Sequence, residues 1–503
     1  MQPDRRGVRS SDGSRERRGR NVLSGSAGSM RDHCVTTAWM GRPRGRCGPC
    51  TGHKVGQSSS LLPGYRVTLC SAASRGYDVG NMSHQSNLPE KSRVSWIASL
   101  RELDSSQRHT VLASFLGWTL DAFDFFLLVF VLGDIASDFH VHKTAVTFGI
   151  LLTLAARPIG ALLFGRLADR FGRRPVLMLD VLLFSTLELA CAFAPSLTVL
   201  LILRFLFGIA MGGEWGIGAS LALESIPIKA RGLVSGLLQS GYPCGYFLGA
   251  IAYWVVFDAL GLGWRAMFVA GALPALLVLY VRSKVPESPV WLAGRAGQPR
   301  RSIRESMRGQ WKRLLYMMLL MMAFNMFSHG SQDMYPTFLQ SQLHFQTGTV
   351  TLLTMLLNAG AIVGGLTFGT WSERIGRRRA MIIAALLALP CIPLWTWGGS
   401  LVLLGLGAFL IQVMVQGAWG VVPAYLNELS PDEVRGTLPG FAYQLGNLLA
   451  ASTATAQSWL AEHSGGNYAL VMASWMTVVA LLLALLAWLG PEVRGIGFGK
   501  ARS

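Results

Sequence analysis

Arg157 interrupts the apolar stretch Leu151–Gly165. A guanidinium keeps its charge when buried and presents a planar fork that fits a carboxylate. It therefore reads as the group that takes an anionic carboxylate, with Asp124 as the rival partner. Asp121 and Asp124 lie about one turn apart in the preceding apolar stretch. Two acids so close disfavour simultaneous ionisation, so one of them is placed to hold a proton unless an arginine neutralises it. Further on, Asn325, His329 and Gln332 are spaced i, i+4, i+7, and Asp333 is i+4 from His329. On a helix these residues and Ser328 form one broad polar stripe. A histidine titrates near neutral pH when unperturbed, and a carboxylate one turn away can share its proton. The alternative is a polar seam against another helix. Gln444 and Asn447 share a helical face and suit the oxygens of a carboxylate or hydroxyl. Arg204 is a second cation for the anion, or one that snorkels to the surface. The expected substrate contacts are thus Arg157, Arg204, Asn325, Ser328, Gln332, Gln444 and Asn447, and the proton-handling groups are His329, Asp333, Asp121 and Asp124.

These groups sit in a chain built for lipid. Of its 503 residues 51% are apolar and only 14% charged, well below the roughly 25% usual in soluble domains. From residue 111 apolar runs alternate with short polar breaks: 111–133, 144–165, 175–193, 197–223, 232–257, 265–283, 312–337, 349–370, 379–398, 400–424, 436–460 and 468–489. Each is close to the about 20 residues that span a bilayer, which predicts an all-α membrane protein of twelve helices. Ionisable groups inside such spans are costly and are functional candidates by default. Runs 3, 6, 9 and 12 read as scaffold, whereas runs 1, 2, 4, 5, 7 and 11 carry the polar groups.

The net charge of +18 does not indicate a nucleic-acid partner, because it lies in the first ninety residues and in short loops. One set of loops carries Arg166, Arg170, Arg173, Arg174, Lys229, Arg231, Arg374, Arg377 and Arg435; the opposite set carries little beyond Lys143 and Arg265. The positive-inside rule then predicts both termini and the central loop on the cytoplasmic side of a plasma or inner membrane. Residues 1–110 are expected to form an Arg-rich lead, disordered at least to residue 90, with Met82 as an alternative start. The segments that follow are a six-helix bundle over 111–283, a loop over 284–311, a second bundle over 312–489 and a tail over 490–503.

Cys47-Gly-Pro-Cys50 spells a redox motif, but no strand or helix pattern surrounds it. Cys191, Cys244 and Cys391 fall in apolar runs and read as packing residues. No nucleophile–base array, metal site or phosphate loop is apparent, so neither an enzyme nor a cofactor or metal is expected.

The two halves repeat. A shift of 204 residues places Gly165, Asp169, Gly172, Arg173 and Arg174 on Gly369, Glu373, Gly376, Arg377 and Arg378. The same shift places Trp215, Glu224, Arg231 and Gly236 on Trp419, Glu428, Arg435 and Gly440. Parallel repeats of this kind put a binding site between the halves, near the midplane.

The segment Gly165-Arg-Leu-Ala-Asp169-Arg-Phe-Gly172-Arg173-Arg174 resembles the loop signature of the major facilitator superfamily, with a weaker echo from Gly369. Asn325-Met-Phe-Ser328-His329-Gly-Ser331-Gln332-Asp333 resembles the seventh-helix signature of the lactate and pyruvate proton symporters, which share a family with bacterial sialic acid transporters. Gln444 and Asn447, Gly212-Gly213-Glu214-Trp215-Gly216 and Asp121-Ala-Phe-Asp124 look typical of the same group. The resemblance implies two pseudo-symmetric six-helix bundles, alternating access, and proton-coupled symport of a small organic monocarboxylate by a monomer. A sialic or aromatic acid is the alternative cargo, and a carboxylate-binding membrane sensor the alternative class. It also implies a conformational lock formed by Gly165, Asp169, Gly172, Arg173, Arg174, Glu373 and Arg377. Glu224 with Arg231, and Glu428 with Arg435, are the expected pairs at the same ends; Glu214 is an expected gating or packing partner.

Overall fold

The computed structural model describes residues 102–295 and 309–498. The Arg-rich lead, the Met82 start and Cys47–Cys50 lie outside these residues.

Twelve helices account for the apolar runs. They are α1 (Ser105–Phe130), α2 (Lys143–Phe171), α3 (Arg173–Ala192), α4 (Leu197–Ser225), α5 (Arg231–Gln239 and Gly241–Tyr253), α6 (Trp264–Lys284), α7 (Trp311–Ser341), α8 (Thr347–Ile375), α9 (Arg377–Trp397), α10 (Leu401–Leu429), α11 (Leu438–Ala450 and Thr453–His463) and α12 (Tyr468–Leu489). Ten are long and apolar enough to cross a bilayer in one stretch; α5 and α11 are each built of two shorter segments. The twelve form two six-helix bundles, as the runs and the repeat predict.

Local chemistry fixes the starts. Asp104 and Gln107 form a reciprocal capping box on α1, with bonds of 2.7 and 3.1 Å. Ser196, Ser400 and Asn467 cap α4, α10 and α12 through their side-chain oxygens. Large apolar side chains such as Leu151, Ile159, Leu179, Leu182, Val402 and Leu481 point outward. In water such a surface would aggregate; here it is the face a bilayer covers.

The segment read as a loop signature is mostly helix. Asp169 and Arg170 lie in the last turn of α2, and Arg173 already opens α3. Only Gly172 turns the chain, with φ +111°, and Gly376 does the same between α8 and α9 at +102°. Few side-chain-bearing residues adopt that backbone. Glu287 then closes the turn: its carboxylate accepts from the backbone N–H of Arg173 at 2.9 Å and of Arg174 at 3.2 Å. Glu492 repeats this on Arg377 and Arg378, at 3.0 and 3.2 Å. At the opposite end Arg265 donates to Asp138 at 2.5 Å, which holds that carboxyl below the ordinary aspartate range.

Gly172→Ala would combine a strained backbone with a Cβ driven into Glu287. A loss of about 1–3 kcal/mol is expected, seen as a lower Tm in detergent. Gly261→Ala, with positive φ but open space around it, should cost less.

Candidate functional site

Away from its arginine-rich end, the N-terminal bundle buries seven charged side chains: Asp121, Asp124, Arg157, Asp180, Glu188, Arg204 and Glu214. Arg157 on α2 is 5% exposed, and its Nη2 donates to Asp121 Oδ1 at 2.8 Å. Arg204 on α4 is 1% exposed and makes a close ion pair with Glu188 on α3, while Phe207 and Phe268 stack on its guanidinium at 4.3 and 5.0 Å. Asp124, Asp180 and Glu214 are fully buried, and none of their carboxylate oxygens has a hydrogen-bonding partner in the protein.

Three expectations change here. The partner of Arg157 is Asp121, not Asp124, because residues three apart lie about 60° apart around a helix. Asp121 faces α2, and Asp124 turns toward the Arg204–Glu188 pair. Arg204 does not snorkel, since Glu188 neutralises it in place. And α3 is not inert scaffold: Asp180 and Glu188 were visible inside run 175–193, and their cost in an apolar span was the signal for them.

In the C-terminal bundle the polar stripe on α7 divides in two. Gln416 and Gln412 of α10 donate to Ser328 and Ser331 at 3.1 and 3.0 Å, so this part is a packing seam. Asn325 also turns inward and donates to the Met321 carbonyl at 2.8 Å. His329 and Asp333 instead pair at 3.0 Å with side chains 31% and 32% exposed. Asp333 caps the first segment of α7 and is thereby held at a helix break. Asn447 of α11 is the other hydrogen-bonding partner of His329. Gln444 is buried with neither amide atom bonded, and Gln332 is half-buried.

An aromatic cluster links the two groups. Tyr443 of α11 lies 4.7 Å from Trp215, 6.2 Å from Trp118 and 5.8 Å from Trp419, between ring centroids. Tyr242 packs on Trp118 at 5.9 Å and is an electrostatic neighbour of Arg157, Asp121 and Asp333. The Arg157–Asp121 pair thus faces the other bundle across rings.

The arginine-rich end is closed by ion pairs that change halves. Arg173 binds Glu224 and Asp169, each at 3.2 Å. Arg377 binds Glu428 through two bonds of 3.0 Å, and Glu373 at 2.6 Å. Arg435 then reaches Glu224, and Arg231 reaches Glu428, both at 3.7 Å. The expected pairs, Glu224–Arg231 and Glu428–Arg435, are therefore exchanged. The exchange follows from packing: α5 lies against α8 and the chain entering α11 lies against α2, so the arginine at the start of each faces the other half. A Cβ on Gly165 would come within 2.7 Å of the Thr437 backbone, and one on Gly369 within 2.6 Å of the Gly232 carbonyl. Asp169 accepts from Gly436 N–H at 2.8 Å and from Thr437 Oγ1 at 2.6 Å. Glu373 answers by accepting from Gly232 N–H at 2.5 Å. The Asp169 side chain is 2% exposed and that of Glu373 17%. Arg174 donates to the Arg282 carbonyl at 2.5 Å.

Two family models match in tandem, "Sugar (and other) transporter" over residues 65–313 and "Major Facilitator Superfamily" over 334–502. The "Probable 4-methylmuconolactone transporter" of Cupriavidus pinatubonensis is 30% identical over 408 residues, covering 78% of this chain and 92% of that protein. This chain belongs to the major facilitator superfamily. It is a multi-pass membrane transporter and not an enzyme. The "Carboxylic acid transporter protein homolog" of Saccharomyces cerevisiae is 28% identical, over 79% of this chain and 68% of its own length. The solved proton:xylose symporter XylE has the same fold, with a TM-score of 0.66 at 20% identity over 78% of this chain and 98% of XylE.

In this superfamily member the chain beyond α12 adds a strap to the closed end. Pro491 accepts from Tyr425 Oη at 3.0 Å, and Arg494 donates to the carbonyls of Glu373 and Arg374. Ile496 accepts from Arg231 at 2.7 Å. Phe498 lies over Arg231 and Arg435, at 3.4 and 3.8 Å from its ring centroid, and packs against the cluster formed by α1, α4 and α5. Residues 491–498 carry no periodicity from which this strap could be read.

Glu224→Gln and Arg435→Gln are each expected to loosen the closed end, with a double-mutant coupling of about 0.5–3 kcal/mol. Spin-label distances across that end should lengthen in both variants. Phe498→Ala should lengthen them less, because each cation–π contact contributes about 0.5–2 kcal/mol.

Proposed function

We propose that this transporter is a proton-coupled symporter of a small organic monocarboxylate, of lactate or pyruvate type, working by alternating access. The observation that carries the reading is Arg157, a buried cation that meets its one carboxylate partner among the described residues, Asp121, through one bond, with the Met211 sulfur and the Phe125 ring as its other neighbours. A substrate carboxylate can take both arms of the guanidinium in place of that one bond. Asp121 then loses its cation and must be neutralised by a proton. His329 and Asp333, paired at 3.0 Å and partly exposed, are the groups that capture the proton with the substrate. Gln332, Gln444 and Asn447 orient its remaining oxygens, while Asn325, Ser328 and Arg204 support the walls. The yeast relative is named for carboxylic acids, which agrees with an arginine-centred site.

The lock follows from the same logic. Gly165, Asp169, Gly172, Arg173, Arg174, Glu373 and Arg377, with the crossed Glu224–Arg435 and Glu428–Arg231 pairs, hold one end shut while the other admits substrate. Loaded with one anion and one proton, or empty, the carrier moves no net charge. The pH gradient then drives transport at about 1.4 kcal/mol per unit, and the membrane potential contributes little. By the loop charges, the locked end faces the cytoplasm.

A second reading, an aromatic or otherwise planar acid, is favoured by the ring cluster of Trp118, Trp215, Tyr242, Tyr443 and Trp419. Uptake of labelled lactate in competition with pyruvate, sialate and benzoate, at two external pH values, separates the two.

Asp333→Asn should lower accumulation against a gradient far more than counterflow; normal accumulation would remove Asp333 from the proton path. Arg157→Lys should weaken substrate binding at least tenfold, because an ammonium cannot form the paired bonds. A large inward positive current during uptake by proteoliposomes would sink the one-proton scheme.

A further inference from the structure

Two phenols stand between the charged pairs of the two halves. Tyr242 follows the break of α5 at Ser240, and Tyr443 lies in the first segment of α11. These are the fifth helices of their bundles, so each half supplies one phenol. The two are not copies of one another: the 204-residue register sets Gln239 against Tyr443 and Gly446 against Tyr242. Tyr443 is buried and Tyr242 half-buried. Packing holds the rings, Tyr443 against Trp215 and Trp419, and Tyr242 against Trp118 and, at 5.4 Å, Phe126. A phenylalanine at either position would make the same ring contacts, so packing accounts for the rings and not for the hydroxyls.

The hydroxyls have charged neighbours instead. Arg157 and Asp121 act on both, Asp333 acts on that of Tyr242, and the two hydroxyls act on each other. Neither has a hydrogen-bonding partner among the described residues, and neither is sealed from open space. A phenol left unbonded at this depth is costly until something accepts from it. The ion pair beside them is also short of partners: Arg157 Nε and Asp121 Oδ2 are buried and unbonded. Asn447 lies one turn on from Tyr443 on the same face of α11 and bonds His329, whose side chain is 31% exposed. That face thus runs from the half-open pair toward Arg157.

Counting donors tells what would fit. A carboxylate offers about four lone-pair sites on its two oxygens. Paired bonds from the Arg157 fork fill two of them, and two phenol O–H groups fill the others. A phenol keeps its proton at neutral pH, so these donors serve the anion and move no proton themselves. We infer that Tyr242 and Tyr443 complete the carboxylate site of Arg157, each donating its hydroxyl hydrogen to the substrate anion, one from each half of the molecule. The inference rests on the carboxylate reading above and not on its proton coupling. An anion held in this way is bonded to both halves at once, which draws them together around it. All of these donors are spent on the carboxylate, so acids with different tails depend on them alike.

The test measures half-saturation of counterflow by full-length protein in proteoliposomes, with labelled lactate and labelled benzoate. Counterflow needs no proton gradient, so a failure of proton coupling leaves this readout intact. Tyr242→Phe and Tyr443→Phe keep the rings and remove only the hydroxyls. Each should raise the half-saturation concentration about tenfold, by a similar factor for every acid that wild type exchanges, with Tm in detergent unchanged. Unchanged half-saturation in either variant would confine that tyrosine to packing and overturn the two-sided site. A rise matched by a lower Tm would mark a structural role and overturn it as well. A rise for one exchanged acid and not the other would put the hydroxyls on the tail rather than the carboxylate, with the same result. If wild type exchanges neither acid, both cargo readings above fail, and this proposal with them.

Discussion

Two ion pairs, Arg231–Glu428 and Arg435–Glu224, tie the halves of this molecule together, and each takes its arginine from one half and its glutamate from the other. Neither pair is independent. Glu224 is also held by Arg173, and Glu428 by Arg377, so each glutamate is shared between an arginine of its own half and one of the opposite half. A buried carboxylate needs at least one such partner. Within each half the internal arginine alone suffices to neutralise the acid, and the crossing contact is the longer of the two. Under the alternating-access reading proposed above, the crossing contact could be given up without leaving a glutamate alone in an apolar medium.

The two bundles meet the cost of buried polarity in different ways. Away from the arginine-rich end, the N-terminal half buries five acids, Asp121, Asp124, Asp180, Glu188 and Glu214, against the two arginines Arg157 and Arg204. Full ionisation would leave three uncompensated negative charges, so protons are part of how this core is made neutral. The C-terminal half uses amides and hydroxyls instead: Gln412, Gln416 and Gln457 donate to α7, and its titratable pair lies at a half-open helix break. Away from the arginine-rich end, the core of one half is rich in charge and that of the other in neutral amides and hydroxyls. Between them pack the rings of Trp118, Trp215, Tyr242 and Tyr443.

Much of the fold was legible because lipid imposes a simple rule. Each crossing needs a long apolar run, and the 204-residue register showed that the runs belong to two copies of one bundle. The pairing of side chains was harder to read. Asp121 and Asp124 are equal candidates until the phase of α1 against α2 is known. Glu224 and Arg435 are far apart in the chain, and nothing local brings them together; nearness in sequence pointed to Arg231 instead. The stripe on α7 was visible as a stripe, but its division into a packing seam at Ser328 and Ser331 and a half-open pair at His329 and Asp333 depends on where α10 lies. Asp180 and Glu188 were there to be read in run 3. Their cost in an apolar helix marks them as it marks Arg157, but nothing in the sequence pairs Glu188 with Arg204.

The contact between halves at the arginine-rich end is built twice, but the two copies differ in one methylene and in wetness. Asp169, short and 2% exposed, is clasped by a backbone N–H and the Thr437 hydroxyl of the other half. Glu373, longer and 17% exposed, holds the other half through the Gly232 N–H alone. Water competes for the second latch and hardly reaches the first. The two seams of a pseudo-symmetric molecule are thus fastened unequally, the one between α2 and α11 by two bonds that solvent hardly reaches and the one between α5 and α8 by a single bond that it does. Under the alternating-access reading proposed above, that inequality gives the molecule a weaker edge and a stronger one, set by the difference between an aspartate and a glutamate.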